Sequence, residues 1–398
     1  MVRRVIVGRL VMTMRNIRLN VKEVCRQRGV VLIVFVFLIA LAATAYLMHT
    51  FSPIQLKNKQ YNVTLQALAE AKQALMAYHL QNMESSVCKL NCRRPGDFPC
   101  PDLDNNGEAE TACDASESDR LGRLPWKTLG TNDLRDGTGE RLWYAVSNQY
   151  INNLRALPDF PLNSQTEGHI SLRNNNGVPV NNAVAGSGLV AVVIAPQIPL
   201  TRQELGGGET AQNRLSTNLN KPIHYLEVAA SEDNADFKDK STNGFISGVV
   251  KVMQNNQMVI ISNDTILPIY QSEVADLSKT VVMNEVAKAL KNDVDVLPFP
   301  SAKNDLTCIG NGLINNSACN ADKTSLDGYI PVNKGDDPIF VGWQTKNANS
   351  ILRGEDANNW FQQNDWRRYV RYQKDAQCAT NEKWCRNIDS EITIRMTN

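Results

Sequence analysis

Histidine is scarce in this sequence, and the motifs of the common catalytic sites are missing. The 398 residues include four histidines, and no two of them have the spacing of a metal-binding pair. H-E-x-x-H and G-x-S-x-G do not occur, and the glycine run 206–208 lacks the lysine of a phosphate loop. These absences exclude the enzyme classes that the motifs define, and we predict that the chain is not an enzyme.

Neither sign of charge is in excess overall. Lys and Arg total 42 and Asp and Glu total 41, a net charge of +1, which argues against nucleic acid as a partner. The balance conceals one basic segment. Residues 1–29 contain eight basic residues and one acidic residue, a local +7 that leaves −6 for the rest. We interpret 1–29 as a basic cytoplasmic leader in front of a mildly acidic body.

Long apolar runs are limited to one segment. Val30–Met48 contains nineteen consecutive residues without a charge. A helix rises 1.5 Å per residue, so this run is long enough for the roughly 30 Å hydrocarbon core of a bilayer. The basic residues before it predict a cytoplasmic N-terminus. For a Gram-negative cell, the sequence therefore predicts a single-pass protein of the bacterial inner membrane, in contact with membrane lipid and with its body in the periplasm.

Three interpretations of the apolar run stay open. It is a plain anchor, or a secretory signal cut after Ala43-Thr44-Ala45, or a retained helix. The third interpretation depends on Arg26-Gln27-Arg28-Gly29, which directly precedes the run. A glycine after basic residues at the start of an apolar helix resembles the processing site of type IV pilins and type II secretion pseudopilins. The resemblance implies that prepilin peptidase cuts between Gly29 and Val30.

The residues after the run predict that a helix continues. Apolar residues recur at three- and four-residue spacing from Tyr61 to Tyr78, an amphipathic pattern that reaches about Asn82, and Pro53 predicts a kink. Val34 stands where the pilin family usually has a glutamate. In this respect the chain resembles minor subunits, and the resemblance implies that Val34 packs in a fibre tip.

Cysteine positions agree with export. Cys25 lies in the leader, and an even number of cysteines follows the apolar run, as in proteins of oxidising compartments. Spacing favours the bridges Cys308–Cys319 and Cys378–Cys385. The remaining disulfide candidates, which pair among themselves in one of three ways or bind zinc, are Cys88, Cys92, Cys100 and Cys113.

Oxygen-bearing residues alternate in the segment 102–110. Asp102, Asp104, Asn106 and Glu108 have the spacing of calcium ligands, and Gly107 supplies a turn. Cys113 occupies the twelfth position of the loop, which excludes an EF-hand. We predict these four residues as candidate calcium ligands, with a solvated Asx-rich turn as the alternative.

The order of motifs in the body also resembles prepilin-like proteins of proteobacteria. The motifs are Pro99-Cys100-Pro101-Asp102, Leu124-Pro125-Trp126, Leu142–Val146, Gln212-Asn213-Arg214, Tyr225-Leu226-Glu227 and Asn263–Ile269. The resemblance covers about 26–300 and points to a family rather than an activity. Within it, β-branched residues predict strands in Gly188–Pro196 and Gly248–Ser262, and periodicity predicts a helix over Ser272–Asn292.

Four of the six tryptophans lie in the last hundred residues. Trp343, Trp360, Trp366 and Trp384 accompany four cysteines there. They form either the core of a small subdomain or a surface that binds a partner or glycan.

These observations predict an α+β fold with a long N-terminal helix whose first half is transmembrane, a periplasmic head of mainly antiparallel strands and a disulfide-rich C-terminal subdomain. The predicted boundaries are 1–29, 30–83 with the span at 30–48, 84–300 and 301–398. The resemblance implies a minor pseudopilin or minor pilin-like subunit that initiates or caps a fibre, with other pilin-like subunits and membrane assembly machinery as partners. An anchored periplasmic binding protein with no role in a fibre is the alternative, and an anchored hydrolase is a third hypothesis.

Overall fold

The structure is a computed structural model. The residues that it describes are 21–50, 53–81, 94–151, 161–242, 244–292, 326–330, 350–352, 360–374 and 392–397. The chain divides into two units, 1–59 and 60–398.

The described residues form helices in both units and short strands in the second unit. The helices are α1 (Val21–Thr50), α2 (Pro53–Gln81), α3 (Gln271–Asn292) and α4 (Trp360–Gln363). The strands are β1 (Leu121–Arg123), β2 (Trp143–Val146), β3 (Leu172–Asn174), β4 (Pro179–Asn181), β5 (Ala191–Ala195), β6 (Thr201–Gln203), β7 (Glu209–Ala211), β8 (Val228–Ala229), β9 (Glu232–Asp233), β10 (Phe245–Ser247), β11 (Val250–Gln254), β12 (Gln257–Ser262), β13 (Thr265–Ile269), β14 (Asp327–Tyr329), β15 (Val370–Lys374) and β16 (Ile392–Met396).

The N-terminal segment contains two helices, and the expected single long helix is wrong. Helix α1 ends at Thr50 and α2 begins at Pro53. Proline has no N–H to donate and its ring clashes with the preceding turn, whereas it suits the first position of a helix. A helix that begins at Pro53 follows from this preference.

The expected membrane span is wrong as well. Within the described ranges, no helix combines the length and apolar character that crossing a membrane requires. This finding overturns the transmembrane part of the expected fold class and the single-pass inner-membrane localisation.

A four-stranded antiparallel sheet, in the order β1-β2-β5-β13, forms the centre of the second unit. Successive side chains of a strand point to opposite faces. Val193 of β5 accordingly packs in one hydrophobic cluster with α2, and Val192 and Ile194 pack in another with Tyr225 and Phe245. Because both faces are covered, all five residues of β5 are buried.

Helix α2 covers one face of this sheet. Leu68, Ala71 and Leu75 are buried at the spacing of one helix face, as the periodicity predicts, but Tyr61 and Leu65 of the same pattern are exposed. Gln60 and Thr64 of this helix also contact the loop 136–140. The Gly137 amide donates to Thr64 Oγ1 at 2.9 Å, and the glycine lies against the backbone carbonyl of Gln60.

Smaller sheets complete the unit. Strand β10 is parallel to β3, which pairs with β4, and β6-β7, β8-β9 and β11-β12 are antiparallel pairs. The antiparallel sheet β14-β15-β16 belongs to the C-terminal part. There Trp360 and Trp366 are buried together with Val282 and Leu290 of α3.

The expected disulfide-rich character of the C-terminal subdomain depends on cysteines outside the described residues and stays a prediction. The disulfide found in the described ranges joins Cys100 to Cys113, before the first strand of the four-stranded sheet. What the described C-terminal residues contribute is an aromatic core around Trp366. The predicted bridges involve Cys308, Cys319, Cys378 and Cys385, which lie outside the described residues. Cys88, Cys92, Trp343 and Trp384 also lie outside them.

Candidate functional site

The predicted processing and packing residues lie on the first two helices. Gly29 and Val30 are inside α1, eight residues or more after its first residue, Val21. Val30 is 60% exposed and Val34 is 51% exposed. Pro53 is the first residue of α2. The roles of these four residues in cleavage and packing stay predictions.

From Val30 to Leu41, apolar side chains cover α1 on every side. Each large apolar residue from Val30 to Leu41 is at least half exposed. With 3.6 residues per turn, a run of this length presents apolar groups around the whole circumference. Helices that are apolar all round are normally buried, and large exposed apolar surfaces mark sites of association.

The acidic loop 102–110 is held by its flanking residues. The Cys100–Cys113 disulfide closes the segment, and the Asp102 backbone exchanges two hydrogen bonds with Arg123 in β1, at 2.9 and 2.8 Å. Gly107 has a φ of +90° and lies against the Trp126 indole, so a Cβ there would clash. Since both cysteines are oxidised, they cannot bind zinc as thiolates, and the four-cysteine zinc alternative is wrong.

Three carboxylates of this loop converge. One oxygen each of Asp102, Asp104 and Glu110 lies within 4.8 Å of the others. Burial raises the pKa of Asp102, and the charge of Asp104 raises it further, whereas hydrogen bonds from the backbone lower it. Hard oxygen donors at this spacing suit a cation such as Ca²⁺, which would relieve the repulsion between the two aspartates.

The predicted ligand set is therefore only partly assembled. Asp102 and Asp104 belong to the group, but Asn106 Oδ1 accepts the Glu108 amide at 2.6 Å, and the Glu108 side chain is exposed. Glu110, which continues the same alternation, takes part instead.

A second acidic centre lies in the core of the second unit. Glu227, just before β8, and Asp264, just before β13, are both fully buried. The Glu227 amide donates to Asp264 Oδ2 at 3.0 Å, and the Asp264 amide donates to Glu227 Oε2 at 3.2 Å. Burial and the Asp264 charge raise the pKa of Glu227 well above its usual value, and burial raises that of Asp264 to about 6.

Sequence reasoning did not identify this centre as a site. Glu227 and Asp264 are 37 positions apart, and neither lies in a recognised ligand or catalytic motif. The available signal was that both lie in motifs on which the sequence resemblance to prepilin-like proteins is based. Gln212 of a third such motif donates to Glu227 Oε1 at 3.0 Å.

Two histidines have described side chains. His169 Nδ1 lies 3.4 Å from Asp239 Oδ1, and His224 Nδ1 accepts the Asn213 amide at 3.4 Å. The side chains of His49 and His79 lie outside the described residues.

Comparison with known proteins found no matching family model, no similar curated protein and no similar solved structure.

Proposed function

We propose that the chain is a structural, pilin-like minor subunit that assembles with other pilin-like subunits through α1. The observation that carries this proposal is the exposure of the apolar residues Val30 to Leu41 around the whole helix. Each such side chain that a neighbouring helix buries contributes about 1.5–3 kcal/mol. A bundle of similar helices covers all sides of α1, which a single flat partner surface does not.

The residues of α1 support the same family. Gly29 follows basic residues and precedes the apolar run, as in prepilins. Val34 replaces the usual glutamate of the helix. A carboxylate buried without a partner is costly, so an apolar residue here suits a subunit at the end of a fibre, where no neighbour supplies the partner.

Photo-crosslinking tests the assembly through α1. A photoreactive amino acid is placed at Val34 in the full-length chain and, as a matched control, at Val178 of the second unit. The two positions have similar exposure, 51% and 54%. We expect light-dependent adducts at Val34 whose second chain, identified by mass spectrometry, begins with an apolar helix of the same kind. Equal adducts at both positions, or none at Val34, would contradict the proposal.

The mature N-terminus distinguishes the fibre subunit from a secreted protein. We expect a first residue of Val30 in cells that have prepilin peptidase and an intact N-terminus in cells that lack it. A first residue after Ala45 in both strains would rule out retention of α1 and therefore the proposed assembly.

A further inference from the structure

The buried acidic centre joins two segments that are distant in sequence. One segment, Tyr225–Asn234, contains β8 and β9, and the other is the connection between β12 and β13 at Asn263-Asp264. Each of the two carboxylates accepts the backbone amide of the other residue. The two side chains therefore hold the backbones of both segments together.

Most oxygens of the pair accept hydrogen bonds from N–H groups. Glu227 Oε2 accepts the amides of Asn263 and Asp264, and Glu227 Oε1 accepts Gln212 Nε2. Asp264 Oδ2 accepts the Glu227 amide and Asn234 Nδ2, the latter at 2.8 Å. Donors at these oxygens leave little room for a metal ion, which would need the same lone pairs.

The fourth oxygen differs from the others. Asp264 Oδ1 is buried, and no N–H or hydroxyl group of the described residues donates to it. The Asp264 carboxyl group, to which this oxygen belongs, interacts directly with the Glu227 carboxyl group. A carboxyl group can donate a hydrogen bond only when it is protonated. A proton on Glu227 would therefore give the Asp264 carboxylate a further hydrogen-bond donor.

Cations near the pair are occupied elsewhere. Arg214 interacts with Asp264 through charge, but its guanidinium donates to Gln197 O and Tyr225 O and lies 3.4 Å from Glu140. Arg202 donates to the Leu226 carbonyl and forms ion pairs with Asp233 and Glu204. Across the described ranges, no cation is hydrogen-bonded to either carboxylate of the pair, so two negative charges here would be poorly compensated.

We propose that Glu227 and Asp264 share one proton at neutral pH and act as a pH-sensitive latch between Tyr225–Asn234 and the β12–β13 connection. Strand β13 is the edge strand of the four-stranded sheet, and α3 follows it in the chain. Loss of the proton leaves two carboxylates facing each other, and their repulsion weakens the attachment of both segments. The proposal is independent of the assembly through α1.

The direction of the pH effect follows from proton linkage. In the unfolded chain these carboxyls titrate near pH 4, whereas the folded pair retains protons to higher pH, with Asp264 titrating at about 6. The folded state therefore binds more protons above about pH 4.5. Its stability falls as the pH rises through 6 and beyond, until Glu227 also loses its proton.

Thermal unfolding of the full chain between pH 5 and 8 tests the latch. The variant is Glu227→Gln, whose side-chain N–H can donate to the Asp264 carboxylate at every pH in this range. The control is Glu209→Gln, an exposed residue of β7. We expect the Tm of Glu227→Gln, relative to the wild type, to rise by about 4 °C from pH 5 to pH 8. The relative Tm of the control should stay constant.

A relative Tm of Glu227→Gln that does not change with pH would overturn the proposal. A measurement on the wild type covers the case in which this variant fails to fold. Infrared spectroscopy at pH 7 should show the carbonyl band of a protonated, buried carboxyl group, and this band should disappear on alkaline titration. Absence of the band at pH 7 would equally overturn the shared proton.

Discussion

At the scale of single residues, Gly137 shows how closely the backbone of the loop 136–140 approaches α2. A Cβ at this position would collide with the Gln60 carbonyl, a backbone atom that moves only with its helix. The neighbouring Asp136 is buried, and its carboxylate accepts the amides of Thr138, Glu140 and Gln197. These hydrogen bonds hold the loop that carries Gly137 in place, so it cannot move away from α2 without breaking them.

We accordingly expect Gly137→Ala to destabilise the protein by about 1–3 kcal/mol, the cost of overpacking a rigid contact. Chemical denaturation monitored by circular dichroism measures the change. Gly206→Ala is the matched control because a Cβ at Gly206 meets no atom of the described residues within 4 Å. Equal stability of the two variants would contradict the role of this contact in docking α2.

At the scale of one element, the acidic loop 102–110 combines rigid ends with concentrated negative charge. Its base is fixed by the disulfide and by the pairing of Asp102 with Arg123. A pre-formed cluster of carboxylates loses little conformational freedom on binding a cation. Burial and the charge of Asp104 raise the pKa of Asp102, and a bound cation would act against both effects.

If the loop binds calcium as its oxygen donors suggest, millimolar Ca²⁺ should raise the Tm, because a ligand of the folded state stabilises it by mass action. A hundredfold excess over the dissociation constant corresponds to about 2.7 kcal/mol. We expect Asp104→Asn to remove this calcium-dependent shift and Glu108→Gln, outside the converging group, to retain it. A shift that Mg²⁺ reproduces or that Asp104→Asn leaves intact would assign the effect to another site.

The elements that the sequence predicts best depend on local pattern. The helix predicted over Ser272–Asn292 is confirmed as α3, because its apolar period matches the buried face. The strand predicted over Gly248–Ser262 is instead the hairpin β11-β12. Asn255 and Asn256 both have positive φ, 47° and 60°, which suits a two-residue turn between twisted strands.

At the scale of the whole molecule, the features that sequence could not predict depend on non-local packing. The pairing of Glu227 with Asp264 joins residues that are 37 positions apart, which no periodicity reports. The apolar run from Val30 led to a transmembrane prediction that the described helices do not support. Hydropathy measures how apolar a segment is and does not identify what covers it.

Helix α3 connects the two main cores of the second unit. Val274, in its first turn, packs in the cluster of α2 and the four-stranded sheet, and Val282, Val286 and Leu290 pack with Trp366. A rigid helix that contributes to both clusters links their stabilities, since unfolding of one removes the end of α3 from the other.

We therefore expect Leu290→Ala, a fully buried position, to destabilise the whole second unit by about 2–5 kcal/mol rather than the C-terminal core alone. Calorimetry should show one transition that moves to lower temperature as a whole. The control is Lys288→Ala, at an exposed position two residues earlier on the same helix, which should leave the Tm nearly unchanged. A split into two transitions would mean that α3 does not couple the cores, because only the cluster around Trp366 would then have lost stability.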